Sequence, residues 1–190
     1  MQGGIHAWEG RVAEGTPESG IAYFSSAATA ETLIALAWWL EDGSRQFYSH
    51  LAAGRQDEEA KSLFKDLTVA EEHHQTILLK LYQDLFRVTF VSNFPGSILP
   101  SGKEGDVMEG GIRVSEALQW ITGKSLIDIF EFALSSETNA YDLYLKMEHQ
   151  MKDPRSVQVF RLLSGEEKQH LERLGALFEK RIRRTSRATS

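Results

Sequence analysis

The feature that most constrains this chain is an internal repeat. A shift of 96 residues, with no gap, lays Glu41 on Glu137, Tyr48 on Tyr144, Phe64 on Phe160, Leu67 on Leu163, Glu71 on Glu167 and His74 on His170. Charged, aromatic and apolar positions all obey it, so the two halves share one structure and are related by a pseudo-two-fold axis. The repeat also sorts neighbours. In "AEEHHQT" (70–76), His74 meets a histidine, whereas His73 meets Gln169 and Glu72 meets Lys168.

Each half reads as two long helices. Four segments carry apolar residues at three- and four-residue spacings with few breakers inside. The first runs over roughly 27–53, with Gly54 as a C-terminal stop. The second starts behind Asp57, an N-cap ahead of "EEAKSLF", and continues to about 87. The third spans about 125–151, and the fourth runs from Asp153 and Pro154 to about 184, with proline at the first helical position. Between the second and third lies a connection over 88–122, rich in Gly and Pro, with a short helix around "SEALQWI". No strand-like alternation competes. The expected fold is all-α, a four-helix bundle with a long crossover between helices two and three. If helix one runs up and two down, the symmetry sends three down and four up. The crossover must then climb roughly 40 Å, which about 35 residues can span.

The spacings set six side chains at one level of such a bundle. Glu41 and Glu71 are 30 residues apart, about a midpoint at residue 56 in the turn "GRQD". Each is therefore about 22 Å from the turn at 1.5 Å per residue. Glu137 and Glu167 come level in the same way about Lys152. Glu71 and His74 are at i and i+3 and share a face, as do Glu167 and His170. One Glu from each of two helices, with Glu-x-x-His from each of the others, is the donor set of di-iron and di-manganese carboxylate bundles. Carboxylates with two imidazoles suit iron or manganese, and zinc can occupy such a site. Glu41 follows "LIALAWWL" and Glu137 follows "IFEFALSS". A charge on such an apolar face is costly unless it is paired or bound to a metal. The expected metal ligands are Glu41, Glu71, His74, Glu137, Glu167 and His170, and the expected cofactor is a pair of metal ions, iron or manganese, with zinc as a substitute.

Composition excludes other chemistries. There are no cysteines, hence no disulfide, thiolate metal site or cysteine nucleophile in this chain. The net charge of -6 argues against nucleic acid, and the one basic run, "KRIRRTS" from Lys180, suits the negative pole of a helix end. The apolar run at 33–40 is far shorter than the roughly 20 residues a membrane span requires. No signal peptide opens the sequence, so the expected compartment is the cytoplasm. Glu72, His73, Glu131 and Glu166 read as solvated neighbours, and His50 and His149 as exposed residues near hairpin ends. Trp38 and Trp39 read as core or interface aromatics. Tyr48 and Tyr144 stand seven residues after Glu41 and Glu137. Either they pack in the core or their hydroxyls orient a ligand carboxylate. Gly43 and Gly165 fall inside helices, where glycine costs about 1 kcal/mol against alanine. Close approach of another element or space for a substrate would explain them.

At "EDGSRQFY", "AEEHHQTILLKLY", "ETNAYDLY" and "EEKQHLERL" the chain resembles the rubrerythrin branch of the ferritin-like superfamily, over roughly residues 25–180 of an expected bundle domain at 25–185. The resemblance implies a di-iron site held by the same six residues. It implies Glu71 and Glu167 as the bridging, catalytic carboxylates, Glu41 and Glu137 as terminal ligands, and one iron capped by each of His74 and His170. It also implies that Tyr48 and Tyr144 bond to ligand carboxylates. Peroxidase rubrerythrins usually add a carboxylate three residues after the third-helix Glu, where this chain has Ala140, and a Cys-rich rubredoxin module, which it lacks. The site is closer to the symmetric six-ligand version of short relatives, with slower expected turnover of peroxide. "GGIHAW" (3–8) resembles the closing segment of rhodanese-like domains. It suggests that residues 1–24 are the remnant of an upstream domain, with 186–190 as a tail.

The implied function is reduction of hydrogen peroxide or oxygen with electrons from an external donor. The alternatives are an iron-binding or storage protein with ferroxidase activity, and a metal-free helical scaffold for partner binding. A homodimer is compatible with the resemblance.

Overall fold

Local chemistry starts each of the four long helices of the computed structural model, which describes residues 29–54, 57–89, 93–99 and 107–188. Helix α1, Ala30–Ala53, begins where the Thr29 hydroxyl accepts from Thr32 N at 3.2 Å. Helix α2, Glu58–Phe86, begins at Asp57, whose carboxylate accepts from Ala60 N at 2.9 Å. A single 3₁₀ turn, Glu109–Gly111, precedes the short helix α3, Val114–Trp120. Helix α4, Leu126–Gln150, opens with a reciprocal capping box between Ser125 and Asp128. Helix α5, Pro154–Ala188, is preceded by Asp153, which accepts from Ser156 N at 2.8 Å. No strand occurs among the described residues, and no helix among them is long and apolar enough to cross a membrane. The fold is the all-α, ferritin-like bundle. Gly54 does end α1, but at φ -89° rather than in the left-handed conformation; Arg87, at φ 54°, uses that conformation to end α2. The segment at 1–24 lies outside the described residues.

α1 packs on α2, α4 on α5, and α2 on α5. Two apolar clusters fill the bundle. One joins Phe47, Leu51, Phe64, Leu67, Phe130 and Leu174, and takes in α3 through Val114 and Ala117. The other joins Ile34, Leu40, Leu78, Leu143, Phe160 and Leu163, with Phe94 and Ile98 of the connection packed against it. Each such side chain, fully buried, contributes roughly 1.5–3 kcal/mol. The membership gives the topology: α1 and α5 run from the second cluster to the first, and α2 and α4 run back. The crossover therefore climbs, from Phe94 beside one cluster to α3 beside the other. The repeat survives as packing, since Tyr48 stacks on Phe64 at 6.1 Å between centroids and Tyr144 on Phe160 at 6.0 Å.

Halfway up, the crossover crosses the bundle. The 3₁₀ turn packs on both α1 and α4. Gly43 makes this possible: a Cβ there would stand 2.3 Å from the Val107 carbonyl oxygen and 2.7 Å from Met108 Cα. Of the two explanations left open for Gly43, close approach is the one realised. Gly165 differs, because a Cβ there would meet nothing within 4 Å, so neither close approach nor an enclosed substrate space accounts for it.

Candidate metal centre

Between the two apolar clusters lies one polar layer. Glu41, Glu71, His74, Glu137 and Glu167 have no solvent exposure and His170 has 5%. His73 and Glu72, their sequence neighbours, point to solvent, as do Glu131, His50 and His149. A helix turns about 100° per residue, so the face that carries Glu71 and His74 inward carries His73 out.

The imidazoles aim one nitrogen each at the carboxylates. His74 Nδ1 stands 3.1 Å from oxygens of Glu41, Glu71 and Glu167. His170 Nδ1 stands 3.0 Å from Glu137 and 3.1 Å from Glu167, with Glu71 at 4.0 Å. The rings lie nearly parallel, 5.5 Å apart. Glu41, Glu71, His74 and Glu167 each offer a donor atom within 4.8 Å of the others, and so do Glu71, Glu137 and His170. Glu71 thus belongs to both donor groups, and its two oxygens, with Glu167 Oε1, are buried without a hydrogen bond. Buried polar atoms are rarely left so. Carboxylate oxygens gathered within 4.8 Å of one another and left without a hydrogen bond suit a cation, so the donor set fits a metal pair.

The two tyrosines link the halves crosswise. The Tyr48 hydroxyl on α1 donates to Glu137 on α4, and the Tyr144 hydroxyl on α4 donates to Glu41 on α1. Each restricts the rotation of a carboxylate on the opposite hairpin rather than on its own helix.

The electrostatics call for positive charge. Burial, then repulsion from Glu41, pushes the Glu71 carboxyl well above its usual range. Burial and Glu167 raise Glu137 to about 7. Burial lowers the imidazoles, but the carboxylates outweigh it: His74 ends well above its ordinary value, and His170 is raised to about 10. Burial also raises Glu167, but the two imidazoles prevail and hold it below its usual range. Carboxylates at this density cannot all ionise unless cations or protons offset them.

Two further residues belong to the layer. Glu166, read from sequence as solvated, is only partly so: its Oε2 stands 2.8 Å from His74 Nε2, the outer nitrogen of that ring. A carboxylate there fixes the ring's orientation and raises its basicity. Its repeat mate is Ala70, so the two histidines are supported unequally. Glu109, from the crossover turn, is fully buried. It accepts from the Ser44 hydroxyl at 3.0 Å, and Glu109, Glu137 and Glu167 offer oxygens within 4.8 Å of one another. Helical periodicity could not find it, because an irregular connection has no register. Its one sequence signal is the pair of glycines that follows, both of which take positive φ.

The family model described as Rubrerythrin matches residues 15–82 and 128–188. The crossover falls between the matched segments. A solved structure of a hypothetical protein from Pyrococcus furiosus is 28% identical over 84% of this chain and 91% of its own, with a TM-score of 0.55. No curated protein sequence matches.

Proposed function

Since this chain belongs to the rubrerythrin family, we propose that it is a di-iron carboxylate protein that reduces hydrogen peroxide, or oxygen, with electrons from an external donor. The observation that carries this reading is the buried layer in which Glu71 has neither oxygen hydrogen-bonded and is common to two donor groups. Glu41, Glu71, His74 and Glu167 would hold one iron. Glu137, His170 and the shared carboxylates would hold the other. Bound iron supplies the electrons that an oxidant takes and open positions for that oxidant.

The protein's own part is positioning and charge. Four carboxylates match the charge of two ferrous ions. Tyr48 and Tyr144 hold Glu137 and Glu41 in place, so each carboxylate keeps its orientation as the charge changes. The two apolar clusters close the layer above and below, which lowers the local dielectric and strengthens every interaction within it.

Two measurements test this. Protein loaded with ferrous iron without oxygen should retain about two ions per chain, the complement of such bundles. Stopped-flow mixing of that form should give faster oxidation by hydrogen peroxide than by oxygen. Faster oxidation by oxygen would favour iron storage with ferroxidase activity, and no retained metal would favour the metal-free scaffold.

A further inference from the structure

Glu109 is a fully buried carboxylate with no lysine or arginine paired to it among the described residues. Its partners are neutral. Ser44 donates to one oxygen at 3.0 Å, and the Tyr144 hydroxyl lies 3.4 Å from the other. Neither group can offset a buried negative charge.

The turn that carries it is built to bring it inward. Ser44 Oγ lies 3.4 Å from Glu109 N, and the Ser136 hydroxyl donates to the Glu109 carbonyl at 3.2 Å. α1 and α4 therefore each hold the backbone of the turn. Gly43 clears the backbone of Val107 and Met108 against α1, while Gly110, at φ 82°, clears Asn139 of α4, where a Cβ would come within 2.8 Å of Nδ2. Three residues past Glu41 and Glu137, where helix-borne side chains share their face, stand the small residues Ser44 and Ala140, both fully buried. The turn enters between helices whose residues are small at that level.

What Glu109 meets there is an incomplete donor set. It shares a 4.8 Å grouping with Glu137 and Glu167, and Glu167 Oε1 is among the buried oxygens without a hydrogen bond. The other donor groups already contain a histidine; this one is carboxylate only.

We propose that Glu109 is itself a metal-binding side chain, a fifth carboxylate delivered by the crossover, which shares a divalent cation with Glu137 and Glu167. This rests on the di-iron reading and extends it. The layer becomes asymmetric, with the additional negative charge on the Glu137 side. A centre with five carboxylates favours the more highly charged oxidised metal pair over the reduced one, and the ion next to Glu109 is bound more tightly for its presence. The connection, which the family match skips, thereby sets the properties of the centre.

Cobalt(II) added to the metal-free 190-residue chain is the probe. The unmodified protein should bind about two ions with visible absorption bands. Glu109→Gln keeps the shape and an acceptor for Ser44 while removing the charge. It should weaken one of the two ions by about tenfold or more, as read by chelator competition, and change the absorption bands. Glu131→Gln, an exposed carboxylate on α4, should change neither. Identical affinities and spectra in Glu109→Gln and the unmodified chain would overturn the proposal while leaving the six-residue site standing. No binding by the unmodified chain would overturn both. Crystals of zinc-loaded unmodified protein decide the point without a variant. A Glu109 oxygen at about 2.0–2.2 Å from zinc supports the assignment, and a Glu109 still bonded only to Ser44 and Tyr144 overturns it.

Discussion

His73 and His74 are adjacent in sequence and opposite in environment, one exposed and one with no exposure at all. His74→Ala should therefore abolish binding of at least one ion, whereas His73→Ala should leave metal content unchanged; elemental analysis of folded, iron-loaded variants distinguishes them. Equal loss in both would mean that the wrong face of α2 had been assigned. Glu166 acts one step further out, through the 2.8 Å contact to His74 Nε2. Removing a carboxylate that orients a ligating histidine typically costs 10–100-fold in metal affinity. Glu166→Gln should weaken the ion on the His74 side by about that factor, measured by chelator competition. The ion on the His170 side should be affected much less, because the hydrogen bond of Glu166 is to His74 and not to His170.

Two glycines in helices have opposite environments, and their alanine variants should shift stability in opposite directions. Gly165→Ala, on α5, adds a methyl to open space and removes the entropic cost of helical glycine. It should stabilise the protein by up to about 1 kcal/mol. Gly43→Ala, on α1, drives a Cβ into the backbone of Val107 and Met108, and overpacking of that kind costs about 1–3 kcal/mol. Urea unfolding of both variants tests the pair. At the start of α2, Asp57 caps Ala60 N and meets Arg181 of α5 at 2.6 Å. The hydrogen bond from Ala60 holds its pKa below the usual aspartate value. A depressed carboxylate contributes stability that is complete above the unfolded pKa of about 3.9 and is lost as pH falls through the folded one. Asp57→Ala should cost about 1 kcal/mol near neutral pH, and the difference from wild type should shrink below about pH 4, as followed by thermal melts across pH.

At the scale of the whole molecule, a layer that holds, among the described residues, five carboxylates and two imidazoles lies between two apolar clusters. Apolar burial on both sides offsets the cost of placing it there. Metal that binds only the folded state adds RT ln(1 + [L]/Kd), about 2.7 kcal/mol at a hundred times Kd. Chelator-treated protein should accordingly melt at a lower temperature than cobalt- or iron-loaded protein, by calorimetry. Equal melting temperatures would mean that the layer is satisfied without metal.

The four long helices, their antiparallel pairing, the crossover and the level of Glu41, Glu71, Glu137 and Glu167 were all legible in the sequence. Each depends on period and offset alone: 3.6 residues per turn, 30 residues across a hairpin, 96 between halves. Spacing along one helix also decides which residues share a face, which is why His74 separated from His73. It cannot state how two hairpins register against each other. So spacing alone left open whether Tyr48 and Tyr144 packed or hydrogen-bonded; the family resemblance pointed to hydrogen bonds, and only the assembled bundle pairs each with the carboxylate of the opposite half. Nor does a repeat reveal what breaks it. Glu166 opposes Ala70, and it reaches His74 only because α5 lies against α2. Glu109 lies in a connection with no period, where nothing local fixes direction. Its inward course was decided by contacts distant in sequence, with Ser44, Ser136 and the space that Gly43 leaves.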